Sequence, residues 1–91
     1  MPEEIAQRFG ENVRRARRRA GLSQEEAAVR ASLHRTEIGL LERAERTPRI
    51  DTAVKLAGAV GVPVGELLGD VVWSPGSLKP GSFTITSEDS P

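Results

Sequence analysis

Ile5, Phe9, Val13, Ala16 and Ala20 recur at spacings of three and four, an apolar stripe that predicts an amphipathic helix over about residues 3 to 20, ended by Gly21. Leu22 to Leu41 then carries two shorter patterns of the same period, joined by a tight turn. In the first, Ser23 and Glu26 have the spacing of a capping box: the serine hydroxyl accepts from the Glu26 N–H and the glutamate reaches back to the Ser23 N–H. Ala27, Ala28 and Ala31 form a small-residue inner face that lets another helix approach closely. In the second, His34 stands at the N-cap, Leu33, Ile38 and Leu41 supply the buried side, and Arg35, Thr36, Glu37 and Leu40 project outward. The polar loop Glu42 to Arg49 is closed by Pro48. Asp51 or Thr52 caps a fourth helix bearing Ala53, Val54, Leu56, Ala57 and Val60, and Gly61 stops it. Pro63 suits the first turn of a short fifth helix, with Val64, Leu67 and Leu68 closing the core.

Beyond Gly69 helical periodicity is lost. Val71 to Thr86 reads as two short strands flanking proline- and glycine-rich turns, with Phe83 and Ile85 alternating against Ser82 and Thr84. Either this segment folds back so that Trp73 covers the fourth and fifth helices, or it is a dimerisation arm whose strands pair across a two-fold axis and bury Trp73, Phe83 and Ile85. We favour the arm, because an isolated two-stranded hairpin is marginal in water. The expected organisation is an all-α, five-helix domain over 3–69, a C-terminal β arm or hairpin over 70–86, and a disordered tail at 87–91.

With 91 residues, 37% of them hydrophobic, the chain has room for one small domain with a thin core. It has no cysteine and a single histidine, so no disulfide, metal site or cofactor is expected. The apolar runs are far short of the roughly 20 residues that span a bilayer, and the acidic start lacks the regions of a signal peptide, which points to the cytoplasm and away from membranes. The net charge is zero but unevenly spread: residues 1 to 50 hold eleven Arg against eight acids, and residues 51 to 91 two Lys against five. A polyanion would meet the positive half.

Two short helices joined by a tight turn are a device for presenting the start of the second to DNA. If the third helix enters the major groove, Arg35 can donate two hydrogen bonds to guanine, Thr36 can bond a base edge or offer its methyl to thymine, and Glu37 either accepts from cytosine or repels phosphate. Gln24 either binds a phosphate or braces the next helix. Gly39 costs about 0.8 to 1.0 kcal/mol in a helix interior, and its use is to admit the DNA backbone or a neighbouring helix. Arg8, Arg14, Arg15, Arg18 and Arg19 on the first helix neutralise phosphates or are simply solvated; for most of them solvation is the favoured reading.

Residues from about Phe9 to Leu68 resemble the lambda-repressor and Cro-like helix-turn-helix proteins, the XRE family. The resemblance covers roughly two thirds of the chain and rests on Gly21-Leu22-Ser23-Gln24-Glu25-Glu26, Ile38, Leu41-Glu42-Arg43, Pro48, and Leu56-Ala57 through Gly61-Val62 to Glu66-Leu67-Leu68. It implies that Gln24 touches a phosphate and that His34, Arg35, Thr36 and Leu40 face bases. It further implies that Arg43 and Arg49 lie along the backbone or minor groove, and that Arg17 pairs with Glu42 as a structural ion pair. Glu37 and Arg46 are assigned with them to the DNA backbone. Ser32 and Ala44 stand where the family usually has glycine, which costs strain if the backbone is unchanged. Leu40 replaces a more usual polar residue and would read its base pair by apolar contact.

The leading expectation is a homodimeric, sequence-specific regulator of transcription that represses by occupying a pseudo-palindromic operator in double-stranded DNA. A second is a protein-binding module of antitoxin type, whose acidic C-terminal half holds a toxin-like partner while DNA binding serves autoregulation. An enzyme is not expected: His34 has no catalytic set beside it, and no glycine loop cradles a phosphate.

Overall fold

The computed structural model describes residues 3–86. The chain forms α1 (Glu3–Arg19), α2 (Gln24–Ala31), α3 (Arg35–Glu42), α4 (Ile50–Val60), α5 (Val64–Leu67), β1 (Val71–Ser74) and β2 (Ser82–Ile85). The stripe of α1 turns Ile5, Phe9, Val13 and Ala16 inward, whereas Ala20 falls just past the helix and is exposed. Phe9 and Val13 meet Ile38 and Leu41 of α3, Leu56 of α4 and Leu67 of α5 in one core. The alanine face of α2 packs chiefly on α4, with Ala27, Ala28 and Ala31 all buried. No helix of the described residues is long and apolar enough to cross a membrane.

The ends of α1 to α4 share one closure. A residue in left-handed backbone follows each helix, and the next N–H reaches back over the last turn to a carbonyl five residues earlier. Leu22 bonds Arg17, Leu33 bonds Ala28, Glu45 bonds Leu40 and Val62 bonds Ala57, at 2.8 to 3.0 Å. Gly21 and Gly61 adopt this conformation freely, but Ser32 (φ 55°) and Ala44 (φ 61°) adopt it too. The backbone of the family pattern is therefore kept, and both side chains sit where a Cβ is strained.

Several expectations need correction. The fourth helix starts at Ile50 with Arg49 as its N-cap, because Pro48 holds the chain extended only that far. Asp51 acts from inside the first turn, its carboxylate accepting from the Thr52 N–H at 3.0 Å. Pro63 is the cap of α5 and precedes its first turn. A helix of four residues turns only one side chain fully inward, so Leu67 is buried while Val64 and Leu68 stay exposed. Val54, on the outer side of α4, is exposed as well.

The arm folds as a hairpin, its two strands paired with each other within the chain. β1 and β2 are antiparallel, with Val71 opposite Ile85 and Trp73 opposite Phe83. These four side chains share one face. Trp73 meets Phe83 edge-on, ring centroids 4.8 Å apart, and remains half exposed instead of being covered by α4 and α5. The hairpin pairs chiefly with itself, and on its apolar face Val71, Phe83 and Ile85 are half-buried while Trp73 is exposed. Its base is fastened to α1 by Arg8 and Asp70, 4.0 Å apart. The tail expected at 87–91 lies outside the described residues.

Candidate nucleic-acid interface

The capping box forms: the Glu26 N–H donates to the Ser23 hydroxyl at 3.0 Å, and the Ser23 N–H donates to Glu26 at 2.9 Å. These bonds hold the Glu26 carboxyl below its ordinary pKa. The start of α2 is thereby fixed beside α3. Between them lies an open groove of about 500 Å³ lined by Arg17, Ser23, Gln24, Glu25, Arg35, Thr36, Gly39 and Arg43.

Its floor is organised by Glu42, buried at the last turn of α3. Arg17 grips the carboxylate with two donors, Nε to Oε2 at 2.7 Å and Nη2 to Oε1 at 3.0 Å, and gives its Nη1 to the Leu22 carbonyl at 2.8 Å. Gln24 donates to the same Oε1 at 3.1 Å, and Arg14 Nε approaches it at 3.4 Å. Burial alone would push the Glu42 carboxyl up, but the hydrogen bonds from Arg17 and Gln24 and the Arg17 charge hold it below the ordinary glutamate range. The reciprocal bond to Glu42 raises Arg17 against its own desolvation. A fork of two donors on one carboxylate locks α1 to α3, and Gln24 adds the start of α2. Gly10 completes the joint. A Cβ there would lie 2.5 Å from the Leu41 carbonyl oxygen and 2.7 Å from that of Glu42, so only glycine lets α1 approach this closely.

The groove brings together Gln24, Arg35, Thr36 and Arg43. Arg35 and Thr36 are exposed at the start of α3, and Arg35 Nη1 lies 3.3 Å from Glu25 Oε2 in a pair that is 70% exposed on both sides. Such a pair is worth about 0 to 1 kcal/mol, so DNA can take the guanidinium from it. Arg43 bonds Glu45 at 2.8 Å, and its guanidinium fills the space over Gly39 that a Cβ would contest at 2.9 Å. Gly39 thus admits a side chain of its own helix end and not a neighbouring helix.

The other expected contacts lie outside this groove. His34 occupies the N-cap of α3, exposed and without a side-chain cap bond. Glu37 and Leu40 are half-buried. Arg49 is exposed and pairs with Asp51 at 3.2 Å. Arg46 lines a separate concavity with Glu3, Ala6 and Thr47. Sequence reasoning passed over Gly10 and Asn12. Asn12 is buried and donates to the Leu67 carbonyl at 3.1 Å, tying α1 to α5. Each interrupts the helical pattern of α1, Gly10 as a poor helix former and Asn12 as a polar residue beside the stripe. Among the described residues no group of three or more His, Cys, Asp or Glu is placed to hold a metal ion.

A helix-turn-helix family model matches residues 13–67. The chain is 43% identical over 65 residues to control protein C.SmaI of Serratia marcescens, covering 71% of this chain and 77% of that protein. It is 38% identical over 69 residues to control protein C.BamHI of Bacillus amyloliquefaciens, covering 75% and 85%. The crystal structure of the restriction-modification controller protein C.AhdI from Aeromonas hydrophila superposes with a TM-score of 0.67 at 35% identity, covering 68% of this chain and 94% of that one. The hairpin at Val71–Ile85 lies beyond the residues matched by the family model. The placement of α2 and α3 around the groove and these matches agree: the chain belongs to the XRE-type helix-turn-helix family of DNA-binding transcriptional regulators.

Proposed function

We propose that this protein is a homodimeric, sequence-specific repressor with a lambda-repressor-like domain, and that it controls a restriction-modification system, in line with its likeness to the restriction-modification controller protein C.AhdI. The observation that carries the reading is the groove in which Gln24, Arg35, Thr36 and Arg43 converge beside the exposed start of α3. Set in the major groove, that start offers Arg35 to a guanine and Thr36 to the adjacent base edge, while Arg43 and the second amide N–H of Gln24, the first being given to Glu42, meet the flanking phosphates. His34 and Leu40 extend the base-facing set, and Glu37, Arg46 and Arg49 lie toward the backbone. The dimer buries the apolar hairpin face of Trp73, Phe83 and Ile85 against a second copy, which the half-exposed Trp73 and the incomplete burial of Phe83 and Ile85 support. Two recognition helices then address half-sites about 34 to 36 Å apart, and repression follows from occupying the promoter.

Arg35→Ala tests this on a duplex recovered from a random pool by the wild-type protein. The variant should lose about 1 to 3 kcal/mol on that duplex and its discrimination at one base pair of each half-site. Equal loss on the recovered and on a random duplex would reassign Arg35 to phosphate and contradict the base-reading role.

A further inference from the structure

We propose that Arg14 and Arg18 of α1 form a second phosphate-binding surface, beside the recognition groove, that extends the DNA footprint beyond the bases read by α3. The inference rests on α3 facing DNA as described above. Arg14 and Arg18 stand about one turn apart on one face of α1, next around the helix from Arg17, which itself lines the groove. Together with Glu11 and Arg15 they line an open concavity of about 310 Å³ on α1, room for a phosphate group and its water.

Charge in this cluster is not balanced. Glu42 is a single anion shared by Arg17, Arg14 and the neutral Gln24. Arg17 satisfies it with two donors, and Arg14 reaches it only through Nε at 3.4 Å, with the Arg14 side chain 41% exposed. Arg15 turns to Asn12 Oδ1 at 3.4 Å. Arg18 is exposed and has no ion pair or side-chain hydrogen bond among the described residues. Glu11 is the one acid lining the concavity against three arginines. A surplus of cation at the edge of a groove that already faces a polyanion binds phosphate by releasing counterions, without reading sequence.

Salt titration of the full-length protein on a random duplex and on a selected duplex tests this. Arg18→Gln, which breaks no ion pair or side-chain hydrogen bond among the described residues, should reduce the slope of log K against log salt by about 0.9 per protomer, equally on both duplexes. Adding Arg14→Gln should roughly double the change in slope on the random duplex. Arg19→Gln, on the side of α1 that faces Glu66, should leave the slope at its wild-type value. A wild-type slope for Arg18→Gln, or an equal fall for Arg19→Gln, would overturn the inference. The slope is read on random DNA as well, so it decides the matter even if the wild-type protein prefers no sequence, a result that would overturn only the sequence-specific reading.

Discussion

Ser32 and Ala44 each end a helix flanking the interface in a backbone conformation that glycine adopts without strain. The left-handed region costs an L-residue on the order of 1 kcal/mol, and neither Cβ is repaid by burial: Ser32 is exposed and Ala44 half-buried. Ser32→Gly and Ala44→Gly should therefore each raise stability by about 1 kcal/mol in urea unfolding. A loss of stability in both would show that these turns relax away from the left-handed form. Glu42 acts in the opposite sense. Its carboxyl is held below the ordinary value of 4.5, so the unfolded chain binds more protons in acid. The stabilisation is present above that value and is lost as pH falls through the lower, folded-state one. Glu42→Gln should cost about 3 to 5 kcal/mol near neutrality, since Arg17 is left buried without its counter-charge, and should flatten the acid limb of the stability curve. An unchanged acid limb in the variant would assign the acid sensitivity to other carboxylates.

Between elements, the joint of α1 with α3 decides how the reading helix is held. Gly10→Ala places a methyl group against two backbone carbonyls, a clash costing about 1 to 3 kcal/mol. Gly58→Ala, exposed on α4 with nothing within 4 Å of its Cβ, should instead stabilise by roughly 0.5 to 1 kcal/mol. Thermal unfolding of the pair separates close packing from helix propensity; equal shifts would contradict the close approach. This joint was only half legible in the sequence. The apolar periods of α1 to α4 and the capping box identified each helix, because hydrophobic spacing and turn chemistry are local signals. Gly10 showed only as a poor helix former within the pattern of α1, since close approach depends on a partner distant in the chain. Gln24 had two readings, and only the fold shows that its amide reaches Glu42. The N-cap of α4 lies two to three residues before the expected one because Pro48 and Asp51 both signal a helix start. The two strands were legible as an arm or a hairpin without a choice between them, because the alternation of Phe83 and Ile85 fits either pairing.

As a whole the molecule is elongated, 46 × 29 × 19 Å, with the helices on one side of the chain order and the hairpin on the other. All eleven arginines fall in the helical half that builds the interface, which is why a net charge of zero does not argue against a polyanionic partner. The hairpin gives the chain a feature beyond the matched helix-turn-helix residues, and in the proposed dimer it sets the distance between two reading helices. Selection of bound duplexes from a random pool, with the protein-to-duplex ratio measured on the winner, tests that arrangement most directly. The account predicts an enriched pair of inverted half-sites centred about 34 to 36 Å apart, bound by two protomers. Binding that falls steeply with salt, with no enriched sequence and no fixed stoichiometry, would contradict it.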